Sequence, residues 1–394
     1  MAVGLNVWWT TMPFILSGMG GTEIHVGYAP AANGIGYICG LLVAGSLLHN
    51  LNVKRATRAA AAVGLLAAIF VCLAIYQAQT CNRFGPLCLP VGRQERGWIW
   101  IIIASGAIAG AAMAFYWPFL MSWVSGGYEG ERLNRRFGRY NGSWSAGGLI
   151  GPLIGAPLVE INLLLPMIAA AVCIGFSCLV LGRGRIDTSK AVQVTHASIN
   201  SSSAHHNPGL LLSFRWIARI GMFSAWACLA VVRSQFALLF VNLGFSEAQF
   251  GLLLTVFSTC NFLVLTAAGR SVFWHFRPIL LFAAQVLLIL AVLLFVYGSH
   301  LATLMLAAVV LGCAFGFTYS SHLYYGASNS TRRSTQMAIH EITISLGTTI
   351  GSAAGGILCK HVGLYWPYWF TIALLCLGLA GQLMVYIASR RTKV

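Results

Sequence analysis

Charge is scarce in this chain: 8% of its 394 residues are Asp, Glu, Lys or Arg, against roughly a quarter in ordinary globular proteins. With 58% of residues apolar, so few charges cannot cover a water-facing globule. That excludes a soluble enzyme and leaves a surface that faces lipid. Acids are scarcer still. Asp and Glu number eight, and the one Asp, Asp187, lies in a polar stretch, so the carboxylate clusters used for metal or acid–base chemistry are missing. No stretch matches Gly-x-x-x-x-Gly-Lys-Ser/Thr, which argues against ATP as an energy source. No basic segment precedes the apolar run from Val3 to Met19, so a cleavable signal peptide is not expected.

What the chain does have is a basic excess, 24 Lys and Arg and a net charge of +16. In a soluble protein that would suggest nucleic acid, but the placement of the charges speaks against it. Apart from Arg219 and Arg233 they sit in short gaps between apolar runs, and the gaps alternate between rich and poor. The rich gaps hold 18 cations, among them Lys54, Arg55, Arg132, Arg183, Arg270, Arg332 and Arg390; the poor gaps hold only Arg83, Arg93, Arg96 and Lys360. Because positive loops stay inside, the rich gaps and the C-terminus are expected in the cytoplasm, in a multi-pass protein of the cytoplasmic membrane. Most of the 11 Cys lie within apolar runs, where Cys packs as a small hydrophobe. Cys81 and Cys88 share a poor gap, where a disulfide and two free thiols are both compatible with the sequence. His205 and His206, in a Ser-rich stretch, read as solvated, and no metal or cofactor is expected.

Apolar runs of the length that spans a bilayer, about 17 to 25 residues, number twelve. They cover approximately 2–19, 27–48, 57–79, 98–124, 138–159, 163–182, 215–241, 249–270, 277–297, 301–323, 336–359 and 364–388. This predicts an all-α polytopic membrane protein. The polar stretch 183–213 reads as a cytoplasmic linker between an N-terminal six-helix bundle (1–182) and a C-terminal one (214–394). The halves repeat. A shift of 224 lays Gly20, Glu23, Gly27, Ala44 and Gly45 on Gly244, Glu247, Gly251, Ala268 and Gly269. A shift of 200 lays Ser145, Gly147, Ile150, Gly151, Gly155 and Leu158 on Ser345, Gly347, Ile350, Gly351, Gly355 and Leu358. Parallel internal repeats of this kind make pseudo-symmetric bundles. Met1 falls on Ala225, inside the seventh run, so the first run starts late.

Twelve runs as six plus six, a polar centre and a Gly-then-basic turn after the second run resemble the major facilitator superfamily across essentially the whole chain. The family's signature in that turn is Gly, Asp, Gly and a basic cluster. Here Gly45, Lys54 and Arg55 fit, His49 stands where the family carries Asp, and Asn52 replaces the second Gly. The resemblance implies a gating role for Gly45, His49, Lys54 and Arg55, which the departures weaken. A second signature, from family exporters, is met by Gly147, Gly151, Pro152 and Gly155 on the fifth run, with Ala156 in place of the final Gly. It implies gating and leans towards export. The same glycines also suit plain helix packing, and Gly347, Gly351 and Gly355 repeat the stripe without proline.

An ionisable side chain at membrane depth needs a partner, a cavity or a role. Arg233 lies well inside the seventh run, which lines the central cavity in the resembled family, and becomes a candidate anchor for an anionic or strongly polar substrate. Gln235 stands beside it. The alternative is an Arg that snorkels to the interface. Glu341, next to His340, is the acid at membrane depth, and Glu341, Ser345, Thr348 and Ser352 make one polar stripe. His340 and Glu341 are candidates for proton coupling; Glu341 could instead complement the start of its helix or pair with Arg332 or Arg333. Exchange of charge between His49 and Glu341, relative to the family pattern, is a further expectation. Other substrate-binding candidates are Asn6, Trp9, Tyr116, Trp117, Asn141, Trp144 and Asn261. Trp9 matches Arg233 under the first shift, so an aromatic and a cation are expected at equivalent depth, suited to an amphipathic solute.

The reading is a secondary transporter, a monomer in the bilayer, that moves a small organic solute by alternating access. Proton coupling is expected and export is favoured. Two rivals are a non-transporting sensor or scaffold of the same fold and a membrane-embedded lipid-modifying enzyme.

Overall fold

The computed structural model describes residues 1–394 apart from 48–52, 84–90, 126–127, 184–207, 331–332 and 392–394, and apart from some side chains at helix ends. Thirteen α-helices are described: α1 (Ala2–Gly18), α2 (Glu23–Leu47), α3 (Val53–Arg83), α4 (Val91–Met113), α5 (Trp117–Ser125), α6 (Gly130–Ile161), α7 (Leu165–Arg183), α8 (Pro208–Asn242), α9 (Glu247–Arg270), α10 (Pro278–Tyr297), α11 (Leu301–Ala327), α12 (Arg333–His361) and α13 (Trp366–Arg391). Ten stretches are long and apolar enough to cross a bilayer; α7 is a shorter apolar helix and α1 has 17 residues, about 26 Å of rise. Large apolar side chains such as Phe70, Phe176 and Leu377 point outward, as a lipid-facing surface requires.

The fourth run, expected as one helix over 98–124, is divided by a turn at Ala114–Tyr116. Pro118 accounts for it. A proline in mid-helix has no N–H to give and its ring strikes the carbonyl four residues back, here that of Ala114. The chain tightens instead through Phe115 N–H to Ala112 O (3.0 Å) and Tyr116 N–H to Met113 O (2.9 Å), and α5 starts afresh. α4 and α5 therefore make one crossing, and the thirteen helices make twelve.

Equivalent residues of the two halves meet equivalent partners. Gly20 and Gly244, matched by the shift of 224, both take left-handed φ, 78° and 89°, in the turns before α2 and α9. Within each half the glycine stripes do the same work: Gly147 and Gly151 lie against Ala2 and Asn6 of α1, and Gly347 and Gly351 against Phe223 and Ala227 of α8. Between halves, Gly27 of α2 abuts Ser352 and Gly356 of α12, and its counterpart Gly251 of α9 abuts Pro152 and Ala156 of α6. Thr349 Oγ1 donates to Ala31 O at 3.5 Å, and Thr255 Oγ1 to Leu149 O at 3.4 Å, with each residue replaced by its counterpart. A pseudo-twofold axis relates the bundles, and α2–α12 and α6–α9 are the paired seams along which they touch.

These seams depend on backbone-to-backbone approach. A Cβ on Gly251 would sit 2.6 Å from the Pro152 carbonyl oxygen, whereas one on Gly175 meets only Leu65 methyls at 3.7 Å. Overpacking of this kind costs about 1–3 kcal/mol. Gly251→Ala is therefore expected to lower the Tm of the purified protein by several degrees while Gly175→Ala leaves it unchanged or slightly raised, both read by thermal denaturation in detergent.

Candidate functional site

The seams enclose a cavity of about 140 Å³, lined from α1, α2, α4, α5, α6, α8, α11 and α12. At the 10–15 Å³ that one water needs, this holds about ten waters. Its walls are mostly apolar and aromatic, with Trp8, Trp9, Trp117, Trp144 and Trp226 together with Tyr37, Tyr140 and Tyr319. Two charged side chains line it, Arg233 and Glu341. Asn33, Ser234, Ser345 and Thr348 add polar groups. A cavity with room for water is where membrane proteins can hold charge at depth.

Arg233 reaches the cavity from α8. Its guanidinium carbon lies 6.0 Å from the ring of Trp9 and 6.0 Å from that of Phe257. Its Nε is buried with no hydrogen-bond partner, and no carboxylate of the described residues forms an ion pair with it. Trp9 and Arg233 are counterparts under the repeat, so the aromatic and the cation do meet across the pseudo-twofold axis.

Glu341 is 7% exposed and lies on the stripe that includes Ser345 and Thr348. Its polar neighbour is the Tyr37 hydroxyl of the other half, which is near enough to interact but falls outside hydrogen-bond geometry. Neighbouring His340 turns away from the cavity. Its Nδ1 lies 2.7 Å from Nδ1 of His322, with the rings stacked 4.6 Å apart. A hydrogen bond at that distance requires one nitrogen to carry the proton and the other to accept it. The edge of His340 meets Tyr319, and Tyr319 stacks on Trp144 at 5.9 Å and 11°. An aromatic ladder thus runs from α6 in the first half to the buried histidines of the second.

The two charges are far apart. Gly347 packs against Phe223 and Trp226, and Gly355 against Val231 and Gln235, so α8 and α12 run side by side in constant register. That register puts Glu341 level with residues near 219, roughly 14 residues below Arg233, or about 20 Å at 1.5 Å per residue. Their helix positions are thus well separated along the length of the cavity.

Of the candidates named from sequence, the cavity collects Trp9, Trp117, Trp144, Arg233 and Glu341. Asn6, Tyr116, Asn141, Gln235, Asn261 and His340 do not line it. Asn6 is held by its own helix, donating to Ala2 O at 3.0 Å, and packs against Gly151. Asn261 fills the space left by Gly316, and Tyr116 lies edge-on to Trp117. Asn141 is buried, and Gln235 donates to Glu23 O of the other half at 3.3 Å. Among the gating candidates, Gly147, Gly151 and Gly155 pack α6 onto α1, and Pro152 meets Gly251 at the seam. Arg55 is exposed. His49 lies outside the described residues, as do Cys88, His205, His206 and Arg332; of Gly45, Lys54, Cys81 and Arg333 only the helical backbone is described.

Polar clasps that the sequence did not single out join the halves at both ends. At the end far from the basic loops, Lys360 Nζ lies 3.7 Å from Glu23 Oε2. At the counterpart site Glu160 Oε1 accepts from the Ala248 N–H at 2.8 Å, so the carboxylate caps the start of α9. The signal was present: Glu23 and Glu247 are matched by one shift, and Glu160 and Lys360 by the other. At the basic end Asn134 of α6 donates to Ala268 O (2.7 Å), in the last turn of α9, and to Ser271 O (3.0 Å), the residue that follows the helix. Nothing in the sequence marks that asparagine.

Two helical bundles related by a pseudo-twofold axis, with a cavity between them and polar contacts joining them at both ends, define a membrane carrier fold. The sequence matches the Major Facilitator Superfamily over residues 1–240 and 216–393, and the chain belongs to that family. No curated protein matches it. The family is typically made of transporters rather than enzymes.

Each Asn134 hydrogen bond contributes about 1 kcal/mol net. Asn134→Ala is expected to favour the state open at the basic end, which shows as roughly tenfold or greater acceleration of maleimide labelling at Ser345→Cys in a cysteine-depleted background. Unchanged labelling would mean that Asn134 does not latch the halves.

Proposed function

We propose that this protein is a secondary active transporter that carries a small organic solute across the cytoplasmic membrane by alternating access. The basic loops and the C-terminus face the cytoplasm. The observation that carries the reading is the cavity itself: an aromatic, partly polar space on the pseudo-twofold axis, bounded by seams and clasps that can open alternately. Trp9, Trp117, Trp144 and Arg233 contact the solute. Transport is coupled to protons through Glu341, with His340 behind it, and runs as export by antiport.

Glu341 supports this coupling role by its position. It is the acid of the cavity, it lies towards the cytoplasmic end, and its neighbour Tyr37 belongs to the opposite half, so its protonation alters a contact that crosses the moving interface. The glycine-proline signature on α6 supports export, although its glycines also serve to pack α1.

Flux in right-side-out proteoliposomes, with a panel of amphipathic metabolites and drugs loaded inside, tests the reading. Acidifying the outer medium is expected to drive efflux of at least one panel member against its gradient. Glu341→Gln is expected to retain downhill exchange and lose the pH-driven component. Gradient-driven efflux that survives Glu341→Gln would remove the carboxylate from coupling. Failure of the folded protein to move any solute would favour a sensor or scaffold.

A further inference from the structure

We infer that the outer end of the cavity is a binding site for the carboxylate of an amphipathic monoanion, with Arg233 as its counter-ion and an aromatic or otherwise apolar body lying against Trp9. The inference rests on the carrier reading and narrows it to a substrate class.

Six of the eight acids have described side chains, and each is placed away from Arg233. Glu23 faces Lys360, Glu131 pairs with Arg135 at 2.6 Å, and Glu129 accepts from Asn329 N–H. Glu160 takes the Ala248 N–H, Glu247 opens α9, and Glu341 is about 20 Å away. The remaining two, Glu95 and Asp187, lie outside the described side chains. Arg233 is therefore a cation in a mostly apolar space whose Nε has no partner. A guanidinium is permanently charged and presents a planar fork of donors that matches a carboxylate. Leaving it so is costly unless something outside the fold completes it.

The surroundings fix the class further. A cationic head would meet Arg233 without a compensating acid, and a neutral head would leave the guanidinium unpaired. A dianion such as a phosphate monoester would find one positive charge where it needs two, because the described cavity residues supply no second Lys or Arg. The rings of Trp9 and Phe257 lie 6.0 Å from the guanidinium carbon, and Met12, Pro13 and Leu229 add to the apolar lining of the same cavity, groups that favour a hydrocarbon or ring over a sugar. Because Glu341 stands roughly 14 residues lower in helix register, anion and proton are assigned to separate ends of one cavity.

The test uses purified full-length protein and three ring skeletons, phenyl, naphthyl and indolyl, each as a propionate, its amide and its amine. Binding is read by calorimetry and by thermal shift. At least one propionate is expected to bind ten times or more tighter than its amide, with the amine weaker still. Arg233→Gln is expected to abolish that preference, Arg233→Lys to keep part of it, and Arg233→Met to fold with a Tm no lower than the parent, since it removes an unpaired charge. Equal binding of acid and amide, preference for the amine, or a preference that survives Arg233→Gln would overturn the proposal. If no propionate binds but an amine or amide stabilises the protein, the anion site is refuted and the carrier reading stands; if no member of the panel binds at all, both lose their support.

Discussion

Lipid cannot hydrate a charge, and the rest of this structure follows from that constraint. Backbone polar groups must be satisfied within each segment, so the chain is helical throughout its spanning parts. Charged side chains must leave the membrane, pair, or find water. Most of the 24 cations leave it, in loops and helix ends. The two charges that stay and line the cavity, Arg233 and Glu341, do so on a space with room for water that the packing of two bundles leaves between them. The cavity is thus the energetic condition for keeping those residues at all.

Without a hydrophobic force between helices in lipid, the halves must associate by close contact. The structure meets that need with glycine at the seams, where α2 lies on α12 and α6 on α9 in mirrored registers. Contacts of this type are strong when aligned and are lost over a small displacement. The clasps at the ends add direction. Lys360–Glu23 and Glu160–Ala248 fasten the far end, and Asn134 fastens the basic end onto carbonyls at the end of α9.

Much of this was legible in the sequence. Run lengths gave the crossings, and the shifts of 224 and 200 gave the symmetry, down to the pairing of Trp9 with Arg233. The turn at Ala114–Tyr116 could have been read from Pro118, whose effect on the carbonyl four residues back is local. The polar candidates were harder. A membrane helix with an Asn on one face puts it either in a cavity or in a crossing, and only the neighbouring helix decides. Asn6 and Asn261 fill notches left by Gly151 and Gly316, which lie far away in sequence. His340 adjoins Glu341 in the chain, but one residue along a helix is about 100° around it; the histidine therefore meets His322 while the acid faces the cavity.

The central claim is that two bundles rock about the cavity, with one end closing as the other opens. Spin-label distances across the halves test it most directly, with Ile161→Cys and Val362→Cys at the far end and Arg132→Cys and Phe273→Cys at the basic end, all at exposed positions. Between pH values that protonate and deprotonate a cavity acid, and on adding a bound propionate, the two distances are expected to change in opposite directions by several ångströms. Distances that stay fixed, or that lengthen together, would contradict the account.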